Sequence, residues 1–339
     1  MARQQRVWLE IAELALRRWS LPPAELSVLG SNGKAVLKVQ ADAGLYVLRL
    51  YKPGGVTEAA LRSELNWLST IHRHTDLLAP RPIHSFVDGC ERSYIDIHCG
   101  QLPAPHKARA VLFQFIDGES KTARDLTLKD VQRIGEYLGK LHREGQRDLP
   151  AGFGRTRLDW NGLFGDDSPY ASPQERDQLS AAQRAVYAEV ANRLRQRLSA
   201  LASEPNSMGL IHADLLAKNI VFVEDAIAAL DFEYCAWGFF LYDLAPLLWQ
   251  LKGDRAADYP ELQDALWRGY TSIRPQVEGQ RDLLESMTAA RQLVSCRWLL
   301  ANLTNPTVSA AAPALIAERF AELRGFIDTG RLQRQSRTL

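Results

Sequence analysis

Residues 210–233 read LIHADLLAKNIVFVEDAIAALDFE, an apolar run interrupted by a few polar anchors. His212 and Asp214 stand two apart, Asn219 follows Asp214 by five residues, and Asp231 follows Asn219 by twelve. Ile220-Val221-Phe222 and Ile227 to Leu230 have the composition of two short strands, with Glu224-Asp225 as the turn between them. A hairpin there carries the chain out and back, so Asp231 returns beside Asn219. Taken singly, Asp214 is as readily a helix cap, Asn219 a turn residue and Asp231 a strand-end cap. Taken together on a loop and hairpin, they form a set of oxygen donors with a defined spacing.

Phosphoryl transfer is the chemistry that asks for such a set. It needs a carboxylate that accepts a hydroxyl proton and orients the nucleophile, and hard oxygen ligands for a Mg²⁺ that bridges phosphates. On this reading Asp214 is the base, Asn219 offers its amide oxygen to Mg²⁺, and Asp231 offers its carboxylate.

Outward from this segment, the chain changes character once. Val7, Ile11 and Leu14 repeat at helical spacing over 3–19, up to Pro22-Pro23. LSVLG (26–30), KAVLKVQ (34–40) and LYVLRLY (45–51) then read as three strands with turns too short for parallel crossovers, so the meander is antiparallel. A helix is predicted over 57–74 and further strands over 82–88, 92–98 and 111–116. Beyond Asp117-Gly118 the pattern is mainly helical. Thr127 with Asp130 forms a capping-box signature for a helix to about Arg143. An irregular stretch over 150–173 precedes a helix over 174–202, and helices resume after the 208–233 unit to about Ile327. Residues 328–339, with Arg331, Arg334 and Arg337, read as a polar, solvated tail. The domains predicted are therefore 1–117, 118–327 and the tail.

Two charges sit where apolar residues belong. Arg49 shares a strand face with Val47 and Tyr51, and Glu64 shares a helix face with Leu61, Leu68 and Ile71. Each needs a partner there, and the two together suggest one buried ion pair.

Composition limits the remaining options. A chain of 339 residues with 46% hydrophobic content has room for more than one core. Its 41 basic and 40 acidic residues leave a net charge of +1, without the positive field that nucleic-acid binders use. Four cysteines, Cys90, Cys99, Cys235 and Cys296, include no C-x-x-C pair and read as free thiols of a reducing compartment. No run approaches the roughly 18 apolar residues of a membrane span, and the N-terminus lacks the apolar core of a signal peptide, so a cytoplasmic protein with no membrane partner is expected.

HADLLAKN followed by LDFE resembles the aminoglycoside phosphotransferase / choline kinase / type II homoserine kinase superfamily. Glu233-Tyr234, Tyr242-Asp243-Leu244-Ala245 and the helix ending in Leu141-His142 extend the resemblance over most of the chain. Protein kinases use H-R-D-x4-N and D-F-G in the same roles, whereas this chain has Ala213, Leu216 and Glu233 at three positions where they keep Arg, Lys and Gly. The resemblance implies an α+β, two-lobed protein-kinase-like fold: an N-terminal antiparallel sheet lobe, a hinge at about 113–118 and a larger, mainly helical C-terminal lobe, with nucleotide between the lobes. It implies ATP and Mg²⁺ as cofactors and a small-molecule hydroxyl acceptor over Asp214. Arg49 would contact the α- and β-phosphates with Glu64 holding it; Gly30-Ser31-Asn32-Gly33, taken alone a turn, would cover the phosphates; the backbone around Gln114 and Ile116 would meet adenine. Asp243 would brace the catalytic loop or cap the helix that begins near Leu244, and His142 would be a packed structural histidine. Trp237, Trp249, Trp267 and Trp298 are expected in the core rather than in an aromatic box. Two other readings share this fold: a Ser/Thr protein kinase of the bacterial stress-response type, disfavoured by Leu216, and a non-catalytic pseudokinase module, disfavoured by retention of Asp214, Asn219 and Asp231.

Overall fold

A computed structural model describes residues 2–21, 25–30, 34–87, 89–100, 102, 106–147, 152–166, 168–171 and 175–334. The chain divides into two compact units, Met1–Gly118 with Pro150–Gly154, and Glu119–Leu149 with Arg155–Leu339.

Unit 1 contains α1 (Ala2–Arg18), β1 (Glu25–Gly30), β2 (Lys34–Ala41), β3 (Gly44–Tyr51), α2 (Glu58–His74), β4 (Pro82–Ile83), β5 (Ser85–Val87), β6 (Cys90–Arg92), β7 (Ile95–His98) and β8 (Lys107–Gln114). The main sheet runs β1-β2-β3-β8-β4, β7 also pairs with β8, and every pairing is antiparallel. Strand period sets its core. Ala35, Leu37 and Val39 of β2, Leu48 and Leu50 of β3, and Ala108, Ala110 and Leu112 of β8 pack in one cluster with Ile11, Ala12, Ala15 and Leu16 of α1. Arg49, on β3 between Leu48 and Leu50, therefore points to the opposite face. Helix α2 starts at Thr57, whose hydroxyl accepts from Ala60 N at 3.2 Å. Its buried stripe includes Leu61, Glu64, Leu68 and Ile71, with the carboxylate among apolar neighbours.

Two expectations change here. The strand predicted over 82–88 breaks at His84, because β4 pairs with β8 while β5 turns to pair with β6. The strand predicted over 92–98 is likewise divided between β6 and β7. Residues 152–154 pack with unit 1. Gly154 N donates to Ser63 Oγ at 2.8 Å, and a Cβ at Gly154 would lie 2.5 Å from Ala59 Cβ, so only glycine allows this approach.

Unit 2 contains β9 (Glu119–Ser120), α3 (Leu128–Gly145), β10 (Arg157–Leu158), α4 (Trp160–Phe164), α5 (Glu175–Gln178), α6 (Ala181–Ala202), β11 (Met208–Ile211), β12 (Ile220–Val223), β13 (Ala226–Ala229), β14 (Ala236–Phe239), α7 (Ala245–Asp254), α8 (Tyr259–Ile273), α9 (Leu283–Ala301), α10 (Pro306–Ser309) and α11 (Ala312–Thr329). The Thr127/Asp130 capping box of α3 is present. The helix predicted over 174–202 is two helices, because Ser180 and Gln183 form a second capping box that starts α6 afresh. Two three-stranded sheets, β10-β14-β11 and β13-β12-β9, frame the segment 208–239. Strand β14 falls where helix was predicted; its pairing with both β10 and β11 outweighs local pattern. Helices α3 and α8 pack closely: a Cβ on Gly269 would lie 1.9 Å from Gln132 O and one on Gly135 2.2 Å from Leu266 O. That approach brings His142 of α3 against Tyr270 of α8.

The tail is not uniformly solvated. Leu332 is fully buried, its N–H donates to Glu285 Oε2 at 3.0 Å, and Arg334 Nη1 donates to Trp249 O at 2.6 Å with its guanidinium 4.0 Å from the Trp249 ring centroid. An apolar anchor and a stacking guanidinium account for the difference. Residues 335–339, including Arg337, lie outside the described residues. Among the described residues, no helix is long and apolar enough to cross a membrane.

Candidate active site

Strand β11 ends at Ile211 and delivers His212-Ala213-Asp214 into a loop whose backbone is held by one carboxylate. Asp243 accepts from His212 N at 2.8 Å and from Ala213 N at 2.6 Å. Ala213 adopts φ 67°, a left-handed conformation costly for alanine, and the Asp243 bond to its own N–H holds it there. Asp243 is buried and meets His142 Nε2 at 3.0 Å; His142 Nδ1 meets Tyr270 Oη at 2.9 Å. The assignment that satisfies these contacts is a neutral His142 that donates to Asp243 and accepts from Tyr270. Burial holds His142 below its ordinary range, more than Asp243 raises it. Burial pushes Asp243 upward, but the hydrogen bonds from His142 and the His212 backbone outweigh it and keep this carboxyl below the usual range. Asp243 thus braces the loop; the helix α7 has Leu244 at its N-cap without a side-chain cap.

Beyond Asp214 the loop tightens into a 3₁₀ turn, Ala217–Asn219, and Gln250 Oε1 of α7 accepts from Ala217 N at 3.0 Å. Asn219 Nδ2 donates to Asp214 O at 2.9 Å, and this fixes the amide. Its Oδ1 has no hydrogen-bond partner among the described residues, which leaves an oxygen donor of the kind a hard cation accepts. The hairpin pairs Ile220 with Ala229 through Val223 with Ala226, and Leu230 N donates to Asn219 O at 2.8 Å. His212 Nε2 lies 2.8 Å from Leu230 O, and Asp214 N donates to His212 Nδ1 at 3.3 Å. Leu230 is therefore tied to both Asn219 and His212, and Asp231 follows it in the left-handed region at φ 62°, ψ 61°, which Asp tolerates better than most residues. An amide oxygen and a carboxylate form a donor set suited to Mg²⁺, which takes few protein ligands and completes its shell with water and phosphate. Among the described residues, no cluster of three or more His, Cys, Asp and Glu side chains gathers as a metal cage.

Sequence reasoning missed the partner of Asp214. Arg291 of α9 donates from Nη2 to Asp214 Oδ1 at 2.5 Å. Burial alone would lower the Arg291 guanidinium; the Asp214 carboxylate, with Tyr242 and Tyr170 nearby, raises it instead. Burial also raises the phenol of Tyr242 to about 12 and that of Tyr234, beside Glu233 and Asp214, to about 12. The signal for Arg291 was the one that exposed Arg49, a guanidinium in the apolar helix sequence LLESMTAARQLVSCRWLLA.

In unit 1, Arg49 Nη2 meets Glu64 Oε1 at 2.7 Å, with the side chains 6% and 1% exposed, and Arg49 stacks over Tyr51 and Phe113. Gln114 ends β8 with its N–H already donating to Arg81 O at 3.0 Å, so that donor is taken; Phe115 N donates to Leu45 O. Ile116 follows beyond the strand. Ser31, Asn32 and Gly33 lie outside the described residues.

Comparison with known proteins agrees with this geometry. The profile of the phosphotransferase enzyme family (APH) matches residues 26–280, and the chain belongs to that family. A homoserine kinase of Rhodospirillum rubrum is 27% identical over 241 residues, a match covering 69% of this chain and 66% of that protein. The match thus spans just under two thirds of that relative's length. A microcompartment-associated aminopropanol kinase structure superposes with a TM-score of 0.80 at 25% identity, covering 96% of this chain and 99% of that one. The amicoumacin kinase hAmiN, in complex with AMP-PNP, Ca²⁺ and Ami, shares the fold with a TM-score of 0.75 at 18% identity over 98% of this chain and 95% of that one.

Proposed function

We propose that this phosphotransferase is a small-molecule kinase that moves the γ-phosphoryl group of ATP, with Mg²⁺, to a hydroxyl of a small polar metabolite. The observation that supports this reading is the braced loop and hairpin that carry Asp214, Asn219 and Asp231, with Leu230 tied to both Asn219 and His212. Asp214 accepts the hydroxyl proton as the acceptor oxygen bonds to the γ-phosphorus and the bond to the β,γ-bridging oxygen breaks, releasing ADP. Asn219 Oδ1 and the Asp231 carboxylate would hold Mg²⁺, which would neutralise phosphate charge. In this reading unit 1 binds nucleotide. Arg49, held by Glu64, contacts phosphate; Ser31, Asn32 and Gly33 cover it; the Gln114 carbonyl and the Ile116 backbone meet adenine. Unit 2 carries catalysis and acceptor binding. The free thiols Cys90, Cys99, Cys235 and Cys296 suit a reducing cytoplasm.

The test is ADP release across an acceptor panel with Mg²⁺ and ATP or GTP, with Asp214→Ala as the blank. The panel would hold choline, ethanolamine, homoserine, sugars, aminoglycosides and a generic protein. An acceptor-stimulated signal that disappears in the variant supports the reading. In calorimetry, Asp231→Ala should weaken Mg·ATP binding by about tenfold or more, the loss of a charged ligand; an unchanged affinity removes Asp231 from the ligand set.

A further inference from the structure

Any acceptor hydroxyl that reaches Asp214 also arrives beside Arg291. That guanidinium has far more donor capacity than its one carboxylate uses. Its Nη2 donates to Asp214 Oδ1, the phenols of Tyr242 and Tyr170 lie close to it, and its Nε is buried without a hydrogen-bond partner among the described residues. The side chain is 13% exposed, so it is fixed by packing yet reachable. Other cations gather behind it: the Trp249 ring has Arg334, Arg319 and Arg291 at 4.0, 5.2 and 6.0 Å from its centroid. Trp249 is therefore already faced by guanidinium groups and is a poor wall for a quaternary ammonium. Asp214 has its negative charge countered by Arg291, so this pair offers a cationic acceptor little attraction and an anionic one a planar fork of donors.

We propose that Arg291 selects the acceptor by charge, taking the carboxylate of a small hydroxy acid or hydroxy amino acid whose hydroxyl faces Asp214. This rests on the kinase reading above. The acceptor's carboxylate pairs with donors of Arg291 that Asp214 does not use, while Nη2 keeps Asp214 Oδ1 and leaves the other oxygen to receive the hydroxyl proton.

Three probes differing only in charged groups test it: 4-hydroxybutanoate, L-homoserine and 3-aminopropan-1-ol. Binding is measured by calorimetry with the protein saturated with Mg²⁺ and a non-hydrolysable ATP analogue, so the readout does not require turnover. The two carboxylates should bind, and the amino alcohol should bind at least about tenfold more weakly, as expected for loss of a charge-assisted hydrogen-bonded pair. Arg291→Met should remove that difference by weakening the carboxylates only, and Arg291→Lys should restore part of it. Circular dichroism of each variant checks folding; if Arg291→Met does not fold, Arg291→Lys alone should still weaken the carboxylates relative to 3-aminopropan-1-ol. Preference for 3-aminopropan-1-ol in the unmodified protein, equal losses for all three probes in the variants, or no binding of either carboxylate while the nucleotide analogue binds would each overturn the proposal. Failure of the nucleotide analogue to bind would instead strike at the kinase reading, and the charge proposal would fall with it.

Discussion

Arg49 with Glu64 in unit 1 and Arg291 with Asp214 in unit 2 are both arginine–carboxylate pairs at short range, 2.7 Å and 2.5 Å. Their surroundings separate them. The first is 6% and 1% exposed and stacked on two aromatic rings; the second is 13% and 15% exposed, its carboxylate on the loop that also carries Asn219. A charge with no access to water depends wholly on its partner, whereas one that keeps some access can exchange that partner for a ligand. The first pair therefore fixes Arg49 in one orientation, and the second leaves Arg291 and Asp214 more open to a further partner.

Removing the proposed base, Asp214, tests the second pair most severely. Asp214→Ala should lower kcat by roughly 10²–10⁴-fold, the usual range for a general base, with Mg·ATP affinity largely kept. Loss of nucleotide binding in a folded variant would mean that Asp214 anchors nucleotide instead. Next in size, Glu64→Ala should cost about 3–5 kcal/mol of stability by urea denaturation, because Arg49 is left buried and uncompensated. Arg291→Met should cost only about 1–2 kcal/mol, since Asp214 retains contact with water. Equal losses at the two sites would erase the distinction drawn between them.

A smaller effect should appear with pH in the brace behind Asp214. His142 is held below the ordinary histidine value of 6.5 and Asp243 below the ordinary aspartate value of 3.8, so the unfolded chain binds protons more readily at both. Stability should be level above about pH 6.5 and fall as pH drops through the histidine window, then further as Asp243 is protonated. Urea midpoints between pH 8 and 3 measure this, and His142→Gln should flatten the upper part of the fall. An unchanged profile in that variant would show that His142 is not the titrating group. Arg334→Ala should cost at least about 1 kcal/mol, because it removes both the stacking on Trp249 and the buried ion pair with Glu322 at 3.6 Å, a loss that a freely solvated tail would not show.

Local pattern carried the sequence reading a long way in this protein. Alternation in LYVLRLY and KAVLKVQ marked the faces of β3 and β2, and the Thr127/Asp130 box marked the start of α3, because these features depend on neighbours within a few residues. The buried Arg49–Glu64 pair was legible for the same reason: each charge broke the pattern of its own element. Where the reading failed, distant partners had decided. Strand β14 exists through pairing with β10 and β11, and the 82–88 strand breaks because β4 and β5 take different partners.

Sequence alone determined which residues form the loop and hairpin of 210–233, the order of sheet and helix, and the family to which the chain belongs. Tertiary structure alone decided what stands around that loop. Asp243 reaches it from 31 positions away, His142 reaches Asp243 across 101, and Arg291 reaches Asp214 across 77. Periodicity shows that a side chain is buried on its own helix, but the partner it meets is set by how closely helices such as α3 and α8 approach, and that distance belongs to the packed molecule.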